Sequence, residues 1–136
     1  MDYLAFEENL AKYLQGRPCD IIQLKRDLNY FKQCKYEGYI FRGMAFNHPI
    51  DKSEIRDSDL CSWSKDLGVA ENFASHGRYK IILAKKSRGV CIQSLLDYLK
   101  SNNLIVSEAL SRCTTKHELE VIDTMYLSEC SVMELI

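Results

Sequence analysis

The sequence predicts an α+β fold in which N-terminal helices pack on a mixed, largely antiparallel β-sheet. Three observations lead there. Apolar residues recur at helical spacing over roughly the first 35 positions, period-two alternation takes over from about Tyr36, and the later helices are inserts between strands. Helices first and strands afterwards is not the order of repeated βαβ units. At 136 residues, 46% hydrophobic and 27% charged with two prolines, the chain reads as one globular domain, 1–136. Residues 1–35 are its helical part and 36–136 its sheet core.

The elements follow in order. Leu4, Phe6, Leu10, Tyr13 and Leu14 give a first amphipathic helix over Tyr3 to Leu14, stopped by "GRP". Asp20 can cap a second, carrying Ile21, Leu24, Leu28 and Phe31 and fading near Lys35. "YEGYIFRGM" alternates and predicts a strand that ends in Arg42-Gly43, followed by a loop with one short helical turn through "AFNHPIDKSEIRDSD". "LCSWS" resumes extended structure, and Ser64 is the expected N-cap of a helix whose apolar face is Leu67, Val69, Ala70 and Phe73. "RYKIILA" and "GVCI" read as two strands joined by the turn "KKSRG" and paired with each other, before a helix around Leu95 to Lys100. "NNLIVSEALSRCTTK" reads as an apolar run and a polar loop, and "HELEVIDTMYL" and "SVMELI" as extended segments.

Bulk properties exclude several functions. Eighteen basic and nineteen acidic residues leave a formal charge of −1, so no global field draws the protein to nucleic acid or anionic lipid. Nucleic acid is therefore not an expected partner, although a local patch, Lys85-Lys86-Ser87-Arg88, leaves it open. The six cysteines, Cys19, Cys34, Cys61, Cys91, Cys113 and Cys130, show no Cys-x-x-Cys pair and read as free thiols. His48, His76 and His117 have no mutual spacing suited to a metal, so none is expected. The first residues lack the pattern of a signal peptide, and no apolar window approaches the roughly twenty residues that span a bilayer. The expectation is a cytoplasmic protein with no membrane partner.

Three places carry charge or polarity that packing alone does not ask for. Period two sets Glu118, Glu120, Ile122 and Thr124 on one face of a strand, and Leu119, Val121, Asp123 and Met125 on the other. Two carboxylates side by side suit either the polar face of an exposed edge strand or a cleft where one stabilises a developing cation and the other activates a nucleophile. Arg42 is either a paired surface arginine or, beside Gly43, a seat for phosphate or carboxylate. Ser62 and Ser64 flank Trp63, and either serine can face a ligand or serve the helix that follows.

The order of these pieces resembles the mono-ADP-ribosyltransferases of the Arg–Ser–Glu type, the group that includes C3-like and iota-like bacterial toxins and phage-encoded modifying enzymes. The family's aromatic-Arg-Gly strand is similar to "YIFRG", and its Ser-Thr-Ser strand and helix to "SWSKDLGVAENFA". Its apolar strand, basic turn and short strand resemble "GRYKIILAKKSRGVCI", and its Glu-x-Glu strand resembles "ELEVI". The likeness runs from about Tyr36 to Met125. Trp63 departs from it in replacing the middle threonine, and the segment between Arg42 and Ser62 is short.

The resemblance implies a split β-sheet core and an NAD⁺-dependent transfer of ADP-ribose to a protein side chain, with NAD⁺ as co-substrate. It casts Glu120 as the carboxylate facing the ribose and Ser62 as the residue that holds it, with Ser64 nearer the helix. Arg42 is implied at the NAD⁺ phosphates, with Gly43, Ser62, Ser64, Phe73 and Arg78 also in the nucleotide site. Glu118 is implied on the acceptor side, where a glutamate goes with arginine targets. The implied partner is a host protein, modified by a small phage or bacterial effector. Three rivals remain open: a non-catalytic relative that sequesters a partner, an interaction protein in which the motifs are coincidental, and an enzyme whose acceptor is water or a nucleic acid.

Overall fold

The computed structural model describes residues 1–113 and 119–133 and has an α+β architecture. In chain order its elements are α1 (Tyr3–Leu14), α2 (Ile21–Leu28), β1 (Tyr39–Phe46), β2 (Ser58–Ser64), α3 (Leu67–Ala74), β3 (Tyr79–Lys86), β4 (Val90–Cys91), α4 (Ile92–Ser101), α5 (Glu108–Ser111), β5 (Glu120–Met125) and β6 (Ser131–Met133). Single 3-10 turns occupy Lys32–Cys34, Lys52–Glu54 and Leu127–Glu129. The chain divides into two compact units. One contains Met1–Lys35 and the described residues from Val90 to Cys113; the other contains Tyr36–Gly89 and the described residues from Leu119 onward.

In the first unit, Asp2 and Asp20 cap α1 and α2 by accepting the N–H groups of Ala5 at 3.1 Å and Gln23 at 3.0 Å. The helical stripes bury Phe6, Leu10, Leu24, Leu28, Leu95, Leu96 and Leu99. Phe31 stacks on Phe6 at 5.1 Å between centroids and meets Tyr98 edge-on at 5.9 Å. The stretch expected to be a polar loop instead forms α5. Ser107 caps it, and Leu110 is wholly buried, an anchor that a four-residue helix needs because it makes few bonds of its own.

The second unit is built on antiparallel strands in the order β5-β2-β1-β3-β6. β1 pairs with β3 along its whole length, from Tyr39↔Lys86 to Phe46↔Tyr79. It therefore continues past Arg42-Gly43, where the sequence suggested an end, because β3 supplies partners as far as Phe46. β3 has β1 and β6 as neighbours, so the hairpin expected between "RYKIILA" and "GVCI" does not form. By contrast, β1 and β2 register at one pair only, Phe41↔Ser64.

Beyond that pair β1 and β2 have no further register partners, and the apolar residues on one face of the sheet share a core. Ile40, Ile81 and Leu83 from β1 and β3 join Cys61, Trp63, Val121 and Met125 from β2 and β5 in a single buried cluster. The outer face of β1 and β3 is covered by α3, whose Ala70 and Ala74 pack on Ile82 with Phe41, Leu67 and Met133 at the margin. A Cβ at Gly43 would run into the Ala70 carbonyl oxygen, so glycine there lets α3 sit directly on the strand.

Candidate functional site

The pleat sorts the side chains around that pair. Phe41 opposes Ser64, and Ser62 and Ser64 oppose Ile122 and Glu120, which puts Phe41, Ser62, Ser64 and Glu120 on the outer face. Arg42 opposes Leu83, so it leaves β1 on the inner side with Cys61 and Trp63. Ser62 donates its hydroxyl hydrogen to Glu120 Oε2 at 3.0 Å, and both residues are half-buried. A carboxylate held by a neighbouring hydroxyl on rigid strands is a fixed anion, the form in which an active-site charge acts without reorganising.

Arg42 bridges β1 and β2. Its Nη1 donates to the Ser62 backbone carbonyl at 2.7 Å, in the region where β1 and β2 make no further register pair. The guanidinium thereby ties the two strands where they part. Its Nε is buried and has no acceptor among the described residues, and the same is true of Trp63 Nε1. Cys61 lies on the same side. Burial pushes its thiol up, an effect offset in part by the positive charge of Arg42.

Ser64 does not cap α3. It is buried at the end of β2, where its Oγ accepts the Asp66 N–H at 3.0 Å. Asp66 is the cap, accepting the Gly68 N–H at 2.7 Å. The helix begins two residues late because Ser64 is still paired with Phe41 and Glu120, and Lys65 N–H still bonds the Leu119 carbonyl at 3.0 Å. Phe73, assigned to the apolar face of that helix, is 62% exposed, since the close approach at Gly43 turns Ala70 and Ala74 inward instead.

The structure thus brings Ser62, Ser64 and Glu120 together, with Arg42 joined to them through the Ser62 carbonyl. Among the described residues, no hydrogen bond or ion pair is seen from Arg78 to that group. Arg78 is exposed and lies over the Tyr79 ring at 5.8 Å. Glu118 and His117 lie outside the described residues. Among the described residues, no group of three or more His, Cys, Asp or Glu is placed to hold a metal, and no helix is long and apolar enough to cross a membrane.

One part of the framework had no place in the sequence reading. Lys85 and Asp123 form a buried ion pair at 3.2 Å, and Lys85 Nζ also reaches the Thr124 carbonyl at 3.0 Å. Asp123 accepts the Arg88 N–H at 2.8 Å and the Thr124 N–H at 2.7 Å. The pair fastens β5 to the end of β3, three residues beyond Glu120. Lys85 is 3% exposed, so the run Lys85-Lys86-Ser87-Arg88 is not a continuous surface patch. The available signal was Asp123 itself, an acid at an inward position of an otherwise apolar strand. No protein-family model, no curated protein and no solved structure matches the chain.

Proposed function

We propose that the protein is an NAD⁺-dependent mono-ADP-ribosyltransferase that transfers ADP-ribose to a protein side chain and releases nicotinamide. The observation that carries this reading is the hydrogen bond from Ser62 to Glu120, made between strands β2 and β5 at the point where β1 and β2 part. Cleavage of the bond between nicotinamide and ribose develops positive charge on the sugar. A carboxylate already fixed in place stabilises that charge more than it stabilises bound NAD⁺, and this difference lowers the barrier. Glu120 supplies the anion and Ser62 restricts its rotation. Arg42, which the resemblance puts at the phosphates of the dinucleotide, leaves β1 on the opposite face and acts on this group by holding the Ser62 carbonyl.

The acceptor assigned here is arginine on a host protein. Glu118 follows the alternate-residue spacing of the Glu-x-Glu run, and a carboxylate beside the reacting carbon would orient and help deprotonate a guanidinium, whose pKa is otherwise too high for it to act as a nucleophile. A small phage or bacterial effector working in the cytoplasm fits such a target. The competing reading, a non-catalytic relative that only binds a partner, draws on Arg42 and Gly43, since a strand tie and helix packing give both residues structural uses.

Labelled NAD⁺ incubated with the protein and a bacterial lysate separates the two readings. Label on a discrete protein band with the wild type and none with Glu120→Ala supports the transferase. Absence of both label and nicotinamide release, from a folded protein, favours the binding module.

A further inference from the structure

We propose that Cys34 and Cys91 are a redox pair that closes reversibly into a disulfide at the place where the chain leaves and re-enters the first unit. The chain passes out of that unit after Lys35 and returns to it at Val90. There Lys35 and Val90 form an isolated antiparallel bridge, and on one side of it the Tyr36 N–H donates to the Gly89 carbonyl at 3.0 Å. On the other side the antiparallel register sets Cys34 opposite Cys91, and the turn Lys32–Cys34 is in contact with β4. Burial pushes the Cys34 thiol up and the neighbouring Cys91 adds to the shift, so each side chain lies within reach of the other's charge. Both residues are 2% exposed. Residues directly opposite on antiparallel strands have Cα atoms about 4.5–5.5 Å apart, inside the range of about 4.4–6.8 Å that a disulfide spans.

All six cysteines are thiols in the structure, so closure needs an oxidant, here a low-molecular-weight disulfide of the glutathione class. One protein thiolate attacks a sulfur of that disulfide and expels a small thiolate. The second protein thiolate attacks the protein sulfur of the mixed disulfide and expels another. The Cys34–Cys91 bond forms, the small disulfide is broken, the two protein thiol protons pass to the released thiolates, and two electrons move from protein to oxidant. Access to the buried sulfurs comes from local opening. The crossing is held by a single bridge and a one-turn 3-10 segment, not by a ladder, so few bonds part when it opens. Once closed, the disulfide makes a covalent loop of the chain from 34 to 91 and restricts the unfolded state. Cys61 shares a buried cluster with Cys130 but stands opposite Asp123, so no such register supports that pair. The inference does not depend on NAD⁺ being a substrate.

Oxidised glutathione added to the folded, full-length chain tests the proposal. Trypsin releases Cys34 within Gln33–Lys35 and Cys91 within Gly89–Lys100, and neither peptide holds another cysteine, so mass spectrometry identifies the linked pair directly. The expected result is that this pair is the main cross-link, that the urea midpoint rises by about 1–2 M, and that excess reduced glutathione reverses both. Cys34→Ser and, separately, Cys91→Ala should lose the cross-link and the rise in midpoint. Should neither variant fold, the linked peptides of the wild type still decide. Cys34 and Cys91 recovered only as thiols or as separate glutathione adducts would overturn the proposal. So would a cross-link that forms only in urea-unfolded chain, or one that excess reduced glutathione leaves intact. The readout is a mass and a midpoint, so failure here is separate from failure of the transferase reading.

Discussion

Replacing Asp123 with alanine should be among the most damaging single changes in the second unit. The Asp123 side chain is 6% exposed and that of Lys85 1%, so removing the carboxylate strands an ammonium that water cannot reach. Lys85 would keep Thr124, through its carbonyl at 3.0 Å and its hydroxyl at 3.3 Å, and the face of the Trp63 ring. Breaking one side of a buried pair costs about 3–5 kcal/mol. The Arg88 N–H would also lose its acceptor, and because the losses share one network they do not simply add. A net cost of about 4 kcal/mol is a large part of a stability that is typically about 5–15 kcal/mol. With a slope of about 2 kcal/mol/M in urea, the midpoint falls by about 2 M. Replacing both partners, Lys85→Met with Asp123→Leu, removes the stranded charge and should recover most of the loss. Urea unfolding followed by Trp63 emission reads both, since Lys85 lies over that ring. A loss under about 1 kcal/mol for Asp123→Ala, or a double variant as costly as the sum of the single ones, would refute the reasoning.

Further outcomes can be checked in the same way. Gly43→Ala should destabilise by about 1–3 kcal/mol because a Cβ would run into the Ala70 carbonyl and α3 must move off β1, as thermal melts would measure. Asp66→Ala should cost about 1 kcal/mol through the lost cap of α3, read by circular dichroism. Burial raises the Glu7 pKa above its usual value, with the Val106 N–H opposing that shift, so Glu7 binds its proton more readily in the folded chain. The stability it adds is full below the unfolded pKa and is lost as pH rises through the folded one. Relative to Glu7→Gln, the wild type should therefore weaken from acid pH towards neutrality, and urea midpoints across that range test the sign.

Much of the fold could be read from local pattern. The period of α1 is strong enough that its expected limits, Tyr3 and Leu14, match the observed helix, and Asp20 caps α2 because its side chain precedes a clear apolar stripe. What failed depends on contacts between distant residues. Whether Ser64 or Asp66 caps α3 is decided by Phe41 and Glu120, which hold Ser64 in the sheet. The partners of β3 are likewise chosen by β1 and β6, which local propensity cannot reveal. At the site, Ser62 and Glu120 were legible as residue types, but their bond needed the β2–β5 register. Arg42 was legible as unusual. Its inward direction comes from the β1–β3 register, and its bond to the Ser62 carbonyl from the approach of β1 and β2 at Phe41↔Ser64.

The most direct test of the transferase account is the rate of nicotinamide release from NAD⁺ by wild type, Ser62→Ala and Glu120→Gln, each shown to be folded. The account predicts release by the wild type, a loss of about 10²–10³-fold in kcat for Glu120→Gln, which keeps the shape and removes the anion, and a smaller loss for Ser62→Ala. Equal release by wild type and Glu120→Gln would contradict it.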